Sequence, residues 1–468
     1  MTGRLRQRHP RLVRAERALR VWRLAARNGL RYVAHRVRRV GAGAERSQAF
    51  NEQFAISSAA DVARELGNMK GVMMKFGQML SFIMEALPEP AQQALASLQA
   101  DAPPMSPAAA AAVVQADLGA PPERVFLDWS PTPLAAASVG QVHRAVTRDG
   151  RRVAVKVQYP GVDSAIESDL DNAEMLYRMF SATVLRGLDA KGLVDELRSR
   201  MGDELDYRIE ADNQQFFTRA FADHPFVTIP PVDLDHSSRR VLTTEWVGGL
   251  GWADFVAQAD HAARQRAGES IWRFAQYAVQ HLGAFNGDPH PGNYRFDPDG
   301  TVTFLDFGLV KRWTPEEWAT LAPTMDAIVV HRDPDALVAA MEHSGFLHAG
   351  HGLDPRRVYR YVSSPYVPYL AEEFTFTRDF VKNTMSKVVD VTGPFSDVIA
   401  KLNMPPTFVI LDRVVWGVSA ILGKLGVSGP FRHMFMEYRM GAQPVTDLGW
   451  QERAWRRERA DLAPPTQP

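Results

Sequence analysis

Three side chains constrain this chain more than anything else in it: Asp288, Asn293 and Asp306, within Asn286–Gly308 (NGDPHPGNYRF…FLDFG). They stand at spacings of five and thirteen residues. A phosphoryl-transfer site needs an Asp to orient the attacking hydroxyl. An Asn five residues on and a later Asp-Phe-Gly Asp then hold the magnesium that shields the phosphate charge. The stretch between them reads as loop, short strand (YRF), turn (DPDG) and strand (VTFLDFG), with an Asp-Gly hairpin signal. Asp-Pro and Asp-Gly are ordinary turn residues, which accounts for each Asp alone. It does not account for the set.

A chain of 468 residues exceeds one compact core, so a two-lobed enzyme or two to three domains are expected. Charge is balanced overall but uneven. Residues 1–40 carry thirteen Arg, no Lys and a single acid, Glu16. Arg17, Arg20, Arg23, Arg27 and Arg31 recur at helical spacing between Leu19, Val21, Trp22, Leu24 and Leu30. Two readings stand: an amphipathic helix on an anionic membrane surface, or a solvated basic arm. Nucleic acid is not an expected partner, because nothing downstream resembles a base-reading module. The chain has no cysteine, which excludes disulfides and thiolate metal sites and fits a reducing cytoplasm. The most apolar run, Phe408–Leu422, is interrupted by Asp412 and Arg413 and reads as a buried helix, not a span.

The organisation along the chain follows from periodicity. Residues 1–47 form the basic arm, and 48–122 a helical extension with Leu66, Met69, Met73, Phe76 and Leu80 on one face. Residues 123–250 turn to strands (VFLDW, PLAAASVGQVHRAV, RRVAVKVQ), with a tight turn at Arg148–Gly150, helical patterns at 162–185 and 192–222, and further strands FVTIPPV and RRVLTTEWV. Residues 251–445 open with a helix over 261–285 and read as helical from Thr314, where TPEE is a capped start. Residues 446–468 read as a frayed tail. The expected fold class is α+β, with a sheet-containing first half and a helical second half: the order of a two-lobed protein kinase, with its ligand in the interlobe cleft.

Lys156 ends VAVK on a strand after a small-residue loop, where kinases place the lysine that pairs with nucleotide phosphates. That loop is Ala135-Ala136-Ala137-Ser138, not a glycine-rich run. Alanines deny the backbone the freedom glycine gives, so it should hold phosphate differently and more stiffly. Glu245 and Val247, at the end of RRVLTTEWV, complete the expected nucleotide-contacting set with Glu210.

These motifs together resemble the UbiB/AarF/ADCK group of atypical kinases linked to ubiquinone biosynthesis. The resemblance covers roughly residues 48–440. It is carried by Lys75-Phe76-Gly77-Gln78 (KxGQ), Ala135–Ser138, Lys156, Glu204-Leu205-Asp206 (ExD), DPHPGN at 288–293 and DFG at 306–308. It implies a kinase-like fold with a helical KxGQ extension and a helical C-terminal extension. It also implies ATP and Mg²⁺ as cofactors, Asp288, Lys156 and Asn293 as catalytic groups, and Asn293 and Asp306 as metal ligands. Lys75, if buried, needs partners, and the resemblance offers Glu204 and Asp206; Glu210 is a candidate partner for Lys156. On a regular helix Glu204 and Asp206 point about 200° apart, while Asp206 and Glu210 share a face.

Two departures matter. Asn286 stands where ordinary protein kinases carry His. His290 stands where they often carry a phosphate-binding Lys, so the loop has less positive charge. Only Leu309–Trp313 separates the DFG from the capped helix start at Thr314, too short for a peptide-binding activation segment, and no APE motif follows. The expected activity is therefore an ATPase, or a kinase for a small or lipid-like acceptor in isoprenoid-quinone metabolism, cytoplasmic or on the inner membrane face. Quinone-pathway lipids or proteins and an anionic membrane surface are the implied partners. An aminoglycoside- or choline-type phosphotransferase and a non-catalytic ATP-dependent scaffold are the rivals.

Overall fold

The computed structural model describes residues 105–137, 139–163, 202, 204–390, 393–403 and 406–462. The basic arm and Lys75–Gln78 lie outside them. The chain divides into two compact units: residues 1–145 with 155–206, and 146–154 with 207–468. Helices and sheets segregate along the chain as an α+β fold does.

In the first unit, Ser106 caps helix α1 (Pro107–Leu118) by accepting from the Ala109 N–H, and Gly119 at φ 80° ends it. Strands β1 (Asp128–Trp129) and β2 (Ala135–Ala137) pair with β3 (Gly140–Val146), which pairs with β4 (Arg152–Gln158). The expected VFLDW strand is thus only β1, because Pro122–Val125 is a helical turn. The alanine run is a strand as well. Ala135, Ala136 and Ala137 stand opposite Val142, Gln141 and Gly140, so the backbone freedom lost without glycine is reduced again by the ladder. Along β4, Val153, Val155 and Val157 are buried, the alternation of a half-buried strand. The β3–β4 turn is the expected one, with Gly150 at φ 88°.

The second unit opens with α2 (Tyr207–Ala220). The chain is not helical at Asp206, so the regular-helix geometry expected for Glu204, Asp206 and Glu210 does not hold. Strands β5 (Val227–Thr228) and β6 (Val241–Glu245) follow, then α3 (His261–Tyr277), capped by Asp260. The helix expected over 261–285 stops early. A π-turn, Ala278–Leu282, closes on Gly283 at φ 61°, a conformation favouring glycine. The chain then enters β7 (Ala284–Asn286).

Strands β8 (Tyr294–Phe296), β9 (Val302–Phe304) and β10 (Val310–Arg312) complete the frame. β8 and β9 form the hairpin expected at DPDG, Tyr294 opposite Phe304, with β5 parallel to β9. At that turn, a Cβ on Gly300 would lie 2.3 Å from the Ala263 carbonyl oxygen, so nothing larger fits. β7 and β10 pair antiparallel, Asn286 opposite Val310.

Beyond these strands the described residues of the unit are mostly helical, with two short paired strands at 374–375 and 428–429. Thr314 and Glu317 form a full capping box on α4 (Pro315–Met325), as TPEE requires. Helices α5 (Pro406–Leu425), α6 (Phe431–Met440) and α7 (Asp447–Leu462) follow. The expected frayed tail is therefore mostly α7. No described helix is long and apolar enough to cross a membrane.

Candidate functional site

Residues 287–293 connect β7 to β8, and residues 305–309 connect β9 to β10. Since β7 pairs with β10 and β8 with β9, two ladders fix both loops against each other. The ladders reach into the loops: the Leu305 N–H donates to the Asn293 carbonyl (2.9 Å), and the Gly287 N–H to the Leu309 carbonyl (2.7 Å). Aromatic packing anchors the frame from beneath. Phe304 stacks on Phe274 at 4.0 Å between centroids, and Phe307 lies fully buried 4.9 Å from Phe217. Burial of one such side chain contributes about 1.5–3 kcal/mol.

Asn286 joins the two loops. Its Nδ2 donates to the Asp306 carbonyl (2.6 Å), and its Oδ1 accepts from the Asp288 N–H (2.9 Å). Asn293 turns its Nδ2 to the Asp288 carbonyl (3.0 Å), with Asp288 Oδ2 at 3.4 Å. Its amide nitrogen thus engaged, the Asn293 oxygen is the atom left to meet a cation. Asp306 Oδ1 accepts from the Gly308 N–H (3.0 Å). A Cβ on Gly308 would stand 3.3 Å from Asp306 Oδ1 and 3.6 Å from Glu210 Oε2, so the two carboxylates close on that bare backbone. Asn213, one turn along α2 from Glu210, donates to the Phe307 carbonyl (3.2 Å).

A basic group from α5 completes the cluster. Arg413 forms an ion pair with Asp288 Oδ1, and both side chains are largely buried. The His290 pKa is lowered by desolvation of its ring, although the residue as a whole is exposed. Lys424 and Arg413 add to the lowering, while Asp288 and Asp306 oppose it. Desolvation thus favours the neutral imidazole.

Asp288, Asn293, Asp306 and Glu210 thus come together in the second unit. Glu245, exposed, ends β6 there, and Val247 lies two residues beyond it, half-buried. Lys156, half-buried on β4, Ala135–Ala137 on β2, and Glu204 and Asp206 belong to the first unit; Ser138 is outside the described residues. Among the described residues, no group of three or more His, Asp or Glu forms a ready-made cation cage. One carboxylate and one carboxamide oxygen, Asp306 and Asn293, nonetheless fit Mg²⁺, which binds through one or two protein oxygens plus water and substrate phosphates. Sequence reasoning missed Arg413 and the bridging role of Asn286. The signal for Arg413 was present: a charged pair, Asp412-Arg413, set in an apolar run.

Comparison with known proteins identifies the family. A family model described as the ABC1 atypical kinase-like domain matches residues 97–341, more than half of the chain. The chain is 33% identical over 300 residues to ACTIVITY OF BC1 COMPLEX KINASE 3, chloroplastic, of Arabidopsis thaliana, covering 63% of this chain and 42% of that protein. It is 32% identical over 264 residues to the probable protein kinase UbiB of Marinobacter nauticus, covering 54% and 47%. The chain thus spans less than half the length of these two curated relatives. Among solved structures, the Rv3197–erythromycin complex of Mycobacterium tuberculosis matches with a TM-score of 0.60 and 33% identity, over 83% of this chain and 95% of that one. The chain belongs to the ABC1 atypical kinase-like family, the group that includes UbiB.

Proposed function

We propose that this protein binds MgATP through Asp306 and Asn293 and transfers the terminal phosphoryl group to water or to a small, lipid-like acceptor in isoprenoid-quinone metabolism. The observation that carries this reading is the mutual fixation of Asp288, Asn293 and Asp306 through Asn286 and the two ladders. When bound, Mg²⁺ supplies charge shielding for the phosphate oxygens, held by Asp306 and Asn293. Asp288 accepts the hydroxyl of the acceptor and orients it in line with the phosphorus. Its backbone N–H and carbonyl are held by Asn286 and Asn293, so little reorganisation accompanies the reaction. Lys156 is the proposed phosphate-pairing lysine on its strand position alone.

A peptide acceptor is disfavoured by the chain after the DFG. Val310–Arg312 is a paired strand and α4 begins at Pro315, which leaves no room for an extended activation segment. A small-molecule acceptor outside quinone metabolism is the second reading, favoured by the erythromycin named with the mycobacterial relative. The test is ATP turnover with and without vesicles, quinone-precursor-like lipids and a macrolide, comparing wild type with Asp306→Asn. Lipid-stimulated, Asp306-dependent turnover is expected. Turnover that survives Asp306→Asn removes the assignment, and phosphorylation of the macrolide favours the second reading.

A further inference from the structure

We propose that Arg413 is a positioning residue of the site: α5, rather than the loop itself, fixes the Asp288 carboxylate. This rests on the functional reading above only for what Asp288 does, not for how it is held.

The argument starts from one face of one helix. Residues 410, 413, 414 and 417 recur at steps of three and four and so share a side of α5. Each meets the loop in order. Ile410 Cγ2 lies 2.8 Å from where a Cβ on Gly287 would stand. Arg413 pairs with Asp288. Val414 lines a small internal cavity with Asn286, Pro289 and Tyr294. A Cβ on Gly417 would lie 2.4 Å from Pro289 Cγ, so the bare glycine lets the helix approach the loop.

The helix therefore follows 287–289 residue by residue, and its one Arg on that face meets the Asp. A guanidinium is planar and always charged, so it holds a carboxylate in one rotamer better than a lysine placed in the loop. Asp288 Oδ1 is committed to Arg413, while Oδ2 lies 3.4 Å from the Asn293 amide. A carboxylate held this way acts by orientation.

Three variants of the full chain test this: Arg413→Ala, which opens a guanidinium-sized space, Arg413→Met, which refills it without charge, and Arg413→Lys. Turnover and amide hydrogen exchange of residues 287–293 are measured with and without low-millimolar guanidinium chloride. Arg413→Ala should lower kcat by about 30- to 100-fold, with KM for ATP within about threefold, and speed exchange of the loop amides alone. Guanidinium should restore kcat and slow exchange in Arg413→Ala but not in Arg413→Met, and Arg413→Lys should fall between Ala and wild type. A kcat within about threefold of wild type in the Ala or Met variant overturns the proposal. So does a guanidinium effect equal in the two variants, or exchange that accelerates throughout the second unit. If the wild type itself turns over no ATP, the functional reading fails, and loop exchange with its guanidinium reversal decides the role of Arg413 alone.

Discussion

Asn286 shows how one residue can be visible in a sequence while its role is not. It is noticeable only as a departure, an amide where ordinary protein kinases carry His. Its two hydrogen bonds, one to each loop, depend on the pairing of β7 with β10, a contact across more than twenty residues that no local pattern announces. Asp288, Asn293 and Asp306 are legible as a set because of their order and spacing, and the two ladders bring their loops together. What holds them is not legible. Asn286→Ala removes a buried donor and acceptor, leaving the Asp306 carbonyl and the Asp288 N–H without that partner, at a cost of about 1–3 kcal/mol. The expected outcome is a kcat at least about tenfold lower, since a misplaced reacting group is costly. Asn286→Asp should be worse, because it replaces the donor to the Asp306 carbonyl with a charge. Steady-state turnover and a thermal melt on both variants check this. A kcat unchanged in Asn286→Ala would mean that the ladders alone set the loops.

At the scale of the element, α5 was recognisable as a buried helix from Phe408–Leu422, and its two charges told against a membrane span. Their division of labour was hidden, because adjacent residues face different sides of a helix. Arg413 meets the loop, while Asp412 is half-buried elsewhere, accepting from Trp416 Nε1 at 3.1 Å. Desolvation pushes the Asp412 pKa up to about 6, opposed by that hydrogen bond. A carboxyl raised in the fold is not penalised while both states are protonated, below about 3.8. As pH rises from there to about 6 the unfolded chain releases the proton first, so stability falls, by on the order of 3 kcal/mol for a two-unit shift, and is level above. Asp412→Asn keeps the acceptor for Trp416 and removes the titration. Its stability advantage over wild type should therefore be near its minimum at pH 4 and largest at pH 7. Urea midpoints at the two pH values check this, and equal advantages at both would show that Asp412 does not titrate with the fold.

On the scale of the whole molecule, the order of motifs announced the α+β kinase-like class, whereas the end of the chain was misread. ERAWRRERADL has a charge in most positions, and local patterning gives no reason for it to dock. The reason is a buried cation on α3. Arg273, fully buried, meets Glu269 (2.7 Å) on its own helix, Glu437 (2.9 Å) and Tyr438 (3.2 Å) on α6, Thr446 (2.9 Å), and Glu452 (3.1 Å) on α7. Tyr438 also donates to Glu452. Further along α7, Trp455 Nε1 (2.9 Å) and Arg459 Nη1 (3.0 Å) donate to the Ala222 carbonyl, and Arg459 Nη2 to that of Arg219 (2.8 Å). They thereby serve carbonyls at and just beyond the end of α2, where the helical ladder runs out. Because α2 also carries Glu210 and Asn213 to the DFG, the last helix supports the site indirectly. Deleting residues 447–468 removes one of the carboxylates facing Arg273 and uncovers the Phe221 side of α2, against which Trp455 stacks. Breaking a buried ion-pair network in this way costs about 3–5 kcal/mol, or on the order of 10 °C in melting temperature for a unit of this size. Glu452→Gln, which keeps the shape and loses the charge, should show part of that drop, while Glu458→Gln, on an exposed position of the same helix, should show none. Thermal melts of the three forms test the assignment, and a truncated chain that melts with the wild type would return these residues to the status of a tail.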